Sequence, residues 1–500
     1  MLPPNFFLPW RPALAILAIA TFARISQAQE LSPSEATLQA GATTPAGQPP
    51  TVESPPATPP KKTPKRKTNA LPPLQIYSGA ARLGLRGGPS ALAPDAAPPP
   101  ALAALPGPPP RRRPPADENP FAPIGIDVGD LKLLPYLEED VGFASNPSRT
   151  AAPAKGSGFE TTEAGLSFTS DWSRDELHGN LRGGYTYYFT QSQANAPFGS
   201  GTLGGRLDVS HEASLDGEVR FNVTTQLPGA VTLPSGAVLG QNSHPLITSL
   251  GATFGGSQNF GDLAFSLHGS LDHTAYQDAT LAGGFIDKLS SDSYADWGLR
   301  ARVAWRASPV AAPFVELDGD LRRYDSSVDF NGYARNSKGG AALAGLELSL
   351  SQKLTGEVDA GYGARQYQDA RLANLRGPMI DAALIWSATP LTTIRLRTQT
   401  ILADTTTPGI SGALQRSYTI DVSHALLRNL TLGAAVGFAT NEYSGQGSHD
   451  QTLSYGLNAE YDLNRNVVLK ASATRSQLTS SLPGSNYTDN VFMLGLRFQQ

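Results

Sequence analysis

Between Leu203 and Leu227 the chain alternates apolar and polar residues with period two (LGGRLDVSHEASLDGEVRFNVTTQL). Leu215, Val219, Phe221, Val223 and Leu227 fall in one phase, and Asp216, Glu218, Arg220, Asn222, Thr224 and Gln226 in the other. The run before it does the same, with Leu203, Leu207 and Val209 against Arg206, Asp208 and Ser210. Strict alternation over this length is the mark of a β-strand with two unlike faces. The break at Ser210–Ser214 is short enough for a tight hairpin.

The pattern recurs from Asp130 to the end of the chain. Apolar phases can be followed through Leu137, Val141 and Phe143; Leu166, Phe168 and Trp172; Leu181, Tyr185 and Phe189; and Leu246, Leu250 and Phe254. They continue through Leu263, Leu267 and Leu271; Trp297, Leu299 and Trp305; Val315, Leu317 and Leu321; Leu346, Leu348 and Leu350; and Leu354, Val358 and Tyr362. Then come Ile380, Leu384 and Trp386; Ile394, Leu396 and Leu402; Tyr418, Ile420 and Val422; and Leu430, Leu432 and Phe438. Leu453, Leu457 and Tyr461 follow, then Val467 and Leu469, and finally Phe492, Leu494, Leu496 and Phe498. The runs approach the ~9–11 residues that a tilted membrane strand needs.

The other phase holds the charges: Arg182, Arg206, Asp208, Glu218, Arg220, Arg300, Arg302, Asp318, Asp320, Glu357, Asp359, Arg395 and Arg397. An arginine facing lipid at mid-bilayer costs ~2–4 kcal/mol, so this sorting is what a membrane barrel demands. Long breaks alternate with short ones, as extracellular loops alternate with periplasmic turns. Trp172, Trp305 and Trp386 each precede a short break, where a periplasmic aromatic girdle belongs. The expectation is an all-β, transmembrane, antiparallel up-and-down β-barrel of about eighteen strands. Sixteen is the alternative, because the run after Asn336 is weak.

Residues 1–28 read as an export signal, with Arg11 before the apolar run Pro12–Ala23 and small residues at Ser26-Gln27-Ala28. Residues 29–125 form a Pro/Ala-rich tail that cannot bury enough apolar surface to fold, and a disordered periplasmic segment is expected. Its basic clusters, Lys61–Lys67 and Arg111–Arg113, suit contact with an anionic envelope polymer. Residues 131–500 are the expected barrel. They carry 27 basic and 35 acidic side chains, a net of −8, so a nucleic-acid partner is not expected.

The run PYLEEDVGFASNPSRT, Pro135–Thr150, resembles the opening strand and first loop of the type 2 β-barrel porin family of Gram-negative outer-membrane proteins. The closing run NVFMLGLRFQQ is similar to the terminal strand by which such barrels reach their assembly machinery, with Phe492, Leu494, Leu496 and Phe498 on its apolar phase. It departs from the usual pattern by carrying Gln499 and Gln500 after Phe498, and Ser145 stands where an acidic residue is expected before Asn146-Pro147. The resemblance implies an outer-membrane barrel, surrounded by lipid, and the order of long and short breaks puts both termini in the periplasm. It implies no particular solute.

No chemistry competes with that reading. There is no cysteine, and the seven histidines form no metal-ligand spacing, so neither metal nor other cofactor is expected. Asp272-His273 is the nearest approach to a catalytic pair, and neighbours on a strand point to opposite faces. No enzyme is expected. The leading expectation is a passive channel for small hydrophilic solutes, with Arg300/Arg302 and Arg395/Arg397 either forming rows that oppose Asp318/Asp320 and Glu357/Asp359, or merely solvating the lumen or pairing across strands. The alternative is a structural or accessory barrel concerned with envelope attachment or surface-polysaccharide export.

Overall fold

A chain that keeps its charges off one face of every strand leaves no edge in lipid only if its sheet closes on itself. The computed structural model describes residues 120–500 apart from 152–153, 228–238, 241–242, 282, 352, 406–408, 446 and 483. The expected signal peptide and both basic clusters lie outside the described residues. One sheet contains nineteen strands, of which the short Ile126–Val128 stands outside the ring, leaving an eighteen-strand barrel.

The first nine barrel strands are β1 (Leu131–Ala144), β2 (Ser157–Ser170), β3 (Glu176–Tyr188), β4 (Ala196–Asp208), β5 (Ala213–Thr225), β6 (Leu246–Phe260), β7 (Leu263–Tyr276), β8 (Tyr294–Trp305) and β9 (Ala311–Tyr324). The other nine are β10 (Ser337–Ser351), β11 (Leu354–Tyr367), β12 (Leu375–Thr389), β13 (Thr392–Ala403), β14 (Ala413–Leu427), β15 (Leu430–Tyr443), β16 (His449–Asp462), β17 (Val467–Ser480) and β18 (Tyr487–Gln499). Each pairs antiparallel with the next, and β18 closes on β1 from Tyr136↔Gln499 to Ala144↔Val491. The weak run after Asn336 is a full strand, which decides for eighteen over sixteen.

Period-two alternation makes this closure possible because registered partners share a face. In the β4–β5 hairpin, Leu203 stands opposite Val219, Leu207 opposite Leu215, and Arg206 opposite Asp216. The outward face is apolar and exposed, as at Leu250, Leu299 and Leu457, whereas Glu316 on the inner face is fully buried. Two-residue turns such as Gly261-Asp262, Pro390-Leu391 and Arg428-Asn429 lie at one end of the barrel. Gly261 takes φ +59°, the left-handed first position that a tight hairpin of this kind favours. Trp305 ends β8 and Trp386 lies near the end of β12. Trp172 falls two residues beyond β2, and all three rings are exposed at this short-turn end.

Two features depart from the sequence reading. Leu402, placed on the outward phase with Ile394 and Leu396, is fully buried. Pairing between β12 and β13 runs from Thr389↔Thr392 only to Ala382↔Thr398, whereas β13 remains paired with β14 as far as Ala403↔Ala413. The long-loop end of the β13–β14 hairpin, still paired with β15 as far as Ala413↔Tyr443, therefore parts from β12 and overlaps the inner side of the wall. Its nominally outer residues Leu402 and Leu414 pack on the inner-face residues Ala341, Leu343, Leu375 and Met379.

The second departure is at the start. Ile126–Val128 pairs antiparallel with Leu131–Leu133 through a turn at Gly129, where φ is +61°. Ordered chain thus precedes residue 131, and Pro120 accepts a hydrogen bond from Arg465 in the β16–β17 turn at 2.7 Å.

Candidate functional site: the charged inner wall

The inner face of β8–β11 is a continuous ladder of ion pairs. Strand spacing of ~4.7–4.9 Å lets a guanidinium reach the carboxylates of the next strands. Arg300 on β8 lies 3.0 Å from Asp318 and 3.4 Å from Glu316, both on β9. Arg302, one inward position along, bonds Glu316 at 2.6 Å and reaches across to both oxygens of Glu357 on β11 at 2.8 and 2.9 Å. Its guanidinium also lies over the Phe314 ring, 4.0 Å from the centroid. Arg306 joins the row through Glu347 at 3.2 Å. Of the two arrangements open to these arginines, the structure shows pairing along one wall with acids of neighbouring strands. The low-dielectric surroundings make such pairs costly to break singly.

Towards the long loops a second cluster is sealed by the in-turned hairpin. Arg322 on β9 bonds Asp296 on β8 at 2.9 Å, approaches Asp404 at 3.5 Å, and lies 4.1 Å from the Tyr294 ring centroid. Arg365 on β11 pairs with Asp320 on β9 at 2.8 Å. Arg335, from the β9–β10 loop, bonds Asp329 at 2.6 Å and donates to the carbonyls of Thr405 at 2.8 Å and Ile410 at 3.1 Å. This one guanidinium ties the hairpin tip to the neighbouring loop. Within the β7–β8 loop, burial pushes the Asp292 carboxyl up to about 8; Arg335, 3.4 Å away, opposes the shift, and Asp404, Asp329 and Asp287 add to it.

The remaining wall is less tightly locked. Arg182 lies 3.9 Å from Glu163 and bonds Ser200 at 3.1 Å. Arg206 and Asp208 pair at 2.8 Å along β4 itself. Arg220 lies 3.6 Å from Glu218 and bonds Asp272 on β7. Arg395 stands in register with Asp421 on β14. Arg397 lines a small cavity of about 10 Å³ with Asp359 and Asp381, directly below the point where β12 and β13 part. That volume accommodates about one water.

Sequence reasoning missed Asp296, Arg322, Arg335, Arg365 and Asp404. Arg322 and Arg365 continue the inner phase of Asp318–Asp320 and Glu357–Asp359, so the signal was present, past the point where the apolar runs fade. Arg335 and Asp404 sit in connections, where period two says nothing. Among the described residues, no cluster of histidine and carboxylate side chains is arranged to hold a metal.

A closed antiparallel barrel with an apolar outer belt and a charged inner wall defines the porin class of membrane β-barrels. The family described as "Putative beta-barrel porin 2" matches residues 119–500, and the chain belongs to it. It is accordingly a bacterial outer-membrane barrel. A search among curated proteins finds no match. Among solved structures the chain is similar to the copper transporter OprC, with 11% identity, TM-score 0.41, and coverage of 75% of this chain and 82% of that one. It is also similar to OpdK of Pseudomonas aeruginosa, with 11% identity, TM-score 0.38, and coverage of 74% and 99%. A BenF-like porin of Pseudomonas fluorescens Pf-5 gives 10% identity, TM-score 0.38, and coverage of 74% and 99%. Likeness at that level adds nothing to the family assignment.

Proposed function

We propose that the protein is a passive diffusion channel for small hydrophilic solutes, with both termini and the short turns in the periplasm and the long loops outside the cell. The observation that carries this reading is the inner wall, where charges of both signs line a ring of strands wide enough for a solute path. The ladder on β8–β11 fixes one wall in paired form, and the adjoining β13–β14 wall, where Arg395, Arg397 and Asp421 are partly exposed, presents charge to a passing solute. Rings and stripes of fixed charge set ion preference. The acid excess of residues 131–500 gives a weak preference for cations.

Refolded protein in planar bilayers tests this directly. Steady open-channel steps are expected, with a reversal potential in a salt gradient shifted towards the cation. A closed baseline, with heat-modifiable migration showing the barrel intact, would sink the channel reading in favour of an accessory barrel.

A further inference from the structure

The wall is not continuous. Above Ala382↔Thr398, β12 has lost β13 as its neighbour, and its remaining residues Leu375–Asp381 pair only with β11. Ile380 is still tied across the gap, donating its N–H to the Thr400 hydroxyl at 3.2 Å and accepting from it at 3.1 Å. The backbone groups of Ile380 therefore point towards β13, and by the two-residue repeat so do those of Pro378 and Arg376. Proline has no N–H to give, so the ladder cannot zip through Pro378; proline within a sheet belongs to an edge for this reason.

Continuing the register would set Pro378 opposite Leu402. Leu402 is instead drawn inside, where it packs with Leu414 on Leu375 and Met379. Two glycines make room for this overlap. A Cβ at Gly377 would come 2.7 Å from the Leu414 side chain, and one at Gly363 2.4 Å from the Met379 sulfur. Outside, the gap opens among the lipid-facing Tyr362 and Ile380, with the exposed Arg376 at its outer rim.

An open sheet edge facing hydrocarbon is disfavoured by several kcal/mol per unsatisfied group, and of the apolar clusters on the inner side this is the one that packs residues of the outer phase, Leu402 and Leu414, across that edge. Both occur at one place, where Leu402 and Leu414 close over Met379 and Leu375. We propose that this seam is a lateral port, through which the acyl chain of a single-tailed anionic amphiphile passes between the barrel interior and the outer leaflet. Leu402 and Leu414 slide over Met379 and Leu375 to admit the chain, and Arg376 receives the head group at the rim.

The absence of cysteine makes the test clean. Full-length protein in proteoliposomes is irradiated with a diazirine-bearing palmitate, and labelled peptides are mapped by mass spectrometry. Labelling is expected at Leu402, Leu414, Leu375 and Met379, the slot side chains, which an intact wall hides from lipid. Labelling confined to outward residues such as Tyr362 and Ile380 overturns the port. Met379→Gln keeps the side-chain length but makes the slot polar, and is expected to reduce slot labelling about tenfold, matching ~1.4 kcal/mol; unchanged labelling also overturns it. Oxidising a Met379→Cys/Leu402→Cys pair should abolish slot labelling, with recovery on reduction, and slot labelling that persists in the verified disulfide form counts against the port. Liposome swelling in a small sugar is followed in parallel: slot labelling without swelling defeats the diffusion-channel reading alone, and swelling without slot labelling defeats the port alone.

Discussion

At the scale of single residues, Arg302 is the keystone of the inner wall, because three carboxylates on three strands depend on it. Arg302→Met removes the cation that Glu316, Glu347 and Glu357 share, leaving Glu316 to Arg300 and Glu347 to Arg306 in a buried setting. Removing one partner of a buried pair costs ~3–5 kcal/mol, and a lowered midpoint of heat-modifiable migration reads that loss. Arg302→Lys should rescue little, since one ammonium cannot reproduce the bidentate contact with Glu357. Asp292 gives a pH prediction of defined sign. Its carboxyl holds its proton up to about 8 in the folded loop, above the ordinary value of 3.8. The folded state therefore binds the extra proton between those limits, and the loop packing weakens as pH rises through that window. Amide protection factors around Asp292, with the base-catalysed intrinsic rate divided out, should fall from pH 5 to pH 9 in the native protein, and Asp292→Asn should flatten that fall. An unchanged slope in that variant would assign the titration elsewhere.

At the scale of elements, the β13–β14 hairpin is where inner and outer faces change places. Arg335 holds the hairpin's long-loop end through bonds to the carbonyls of Thr405 and Ile410. Arg335→Ala should free the tip, visible as added flicker in single-channel records. Replacing residues 404–412 by a two-residue turn should raise the mean conductance. The strands themselves were legible in the sequence because period two is written at every residue: Leu215, Val219, Phe221 and Val223 share the outer face of β5, whereas Leu227, read into the same phase, lies two residues past its end and is buried, because parity carries no information once the strand has stopped. Leu402 misled because the parity of Ile394 and Leu396 was carried across Thr398-Gln399-Thr400, where the apolar–polar alternation lapses and the strand parts from β12. Parity reports which side of a strand a residue occupies, and not where that strand lies. The available clue was compositional, in that Leu343, Leu375 and Met379 are apolar residues in a phase reserved for polar ones, beside a proline at 378.

At the scale of the molecule, the barrel is closed by contacts between the two ends of the chain. Glu138 on β1 bonds Lys470 and Arg497, each at 2.6 Å, so the seam between first and last strands is held by charge as well as by the backbone ladder. Glu138→Gln should lower the urea midpoint of the refolded barrel without altering the conductance of molecules that do fold. The charge sorting that made Arg182 through Arg397 recognisable as inner residues gave no account of which acid each would meet, because partner choice depends on register, and register is settled only when all eighteen strands close.

The short strand Ile126–Val128 bears on how that closure finds its place. It occupies the edge of β1 opposite Leu131–Leu133, directly in line with β18, which begins its pairing at Tyr136↔Gln499. A hairpin between such near neighbours in sequence forms far faster than a contact between the two ends of the chain. When β18 arrives, the lower berths on β1 are already taken, and Gln500 stops against Pro135, donating its N–H to the carbonyl at 3.2 Å. A slip of β18 by two residues would preserve every inside and outside assignment, so polarity alone offers no protection against it. The preformed hairpin is a doorstop for the last strand: it allows one shear for the ring and excludes the next.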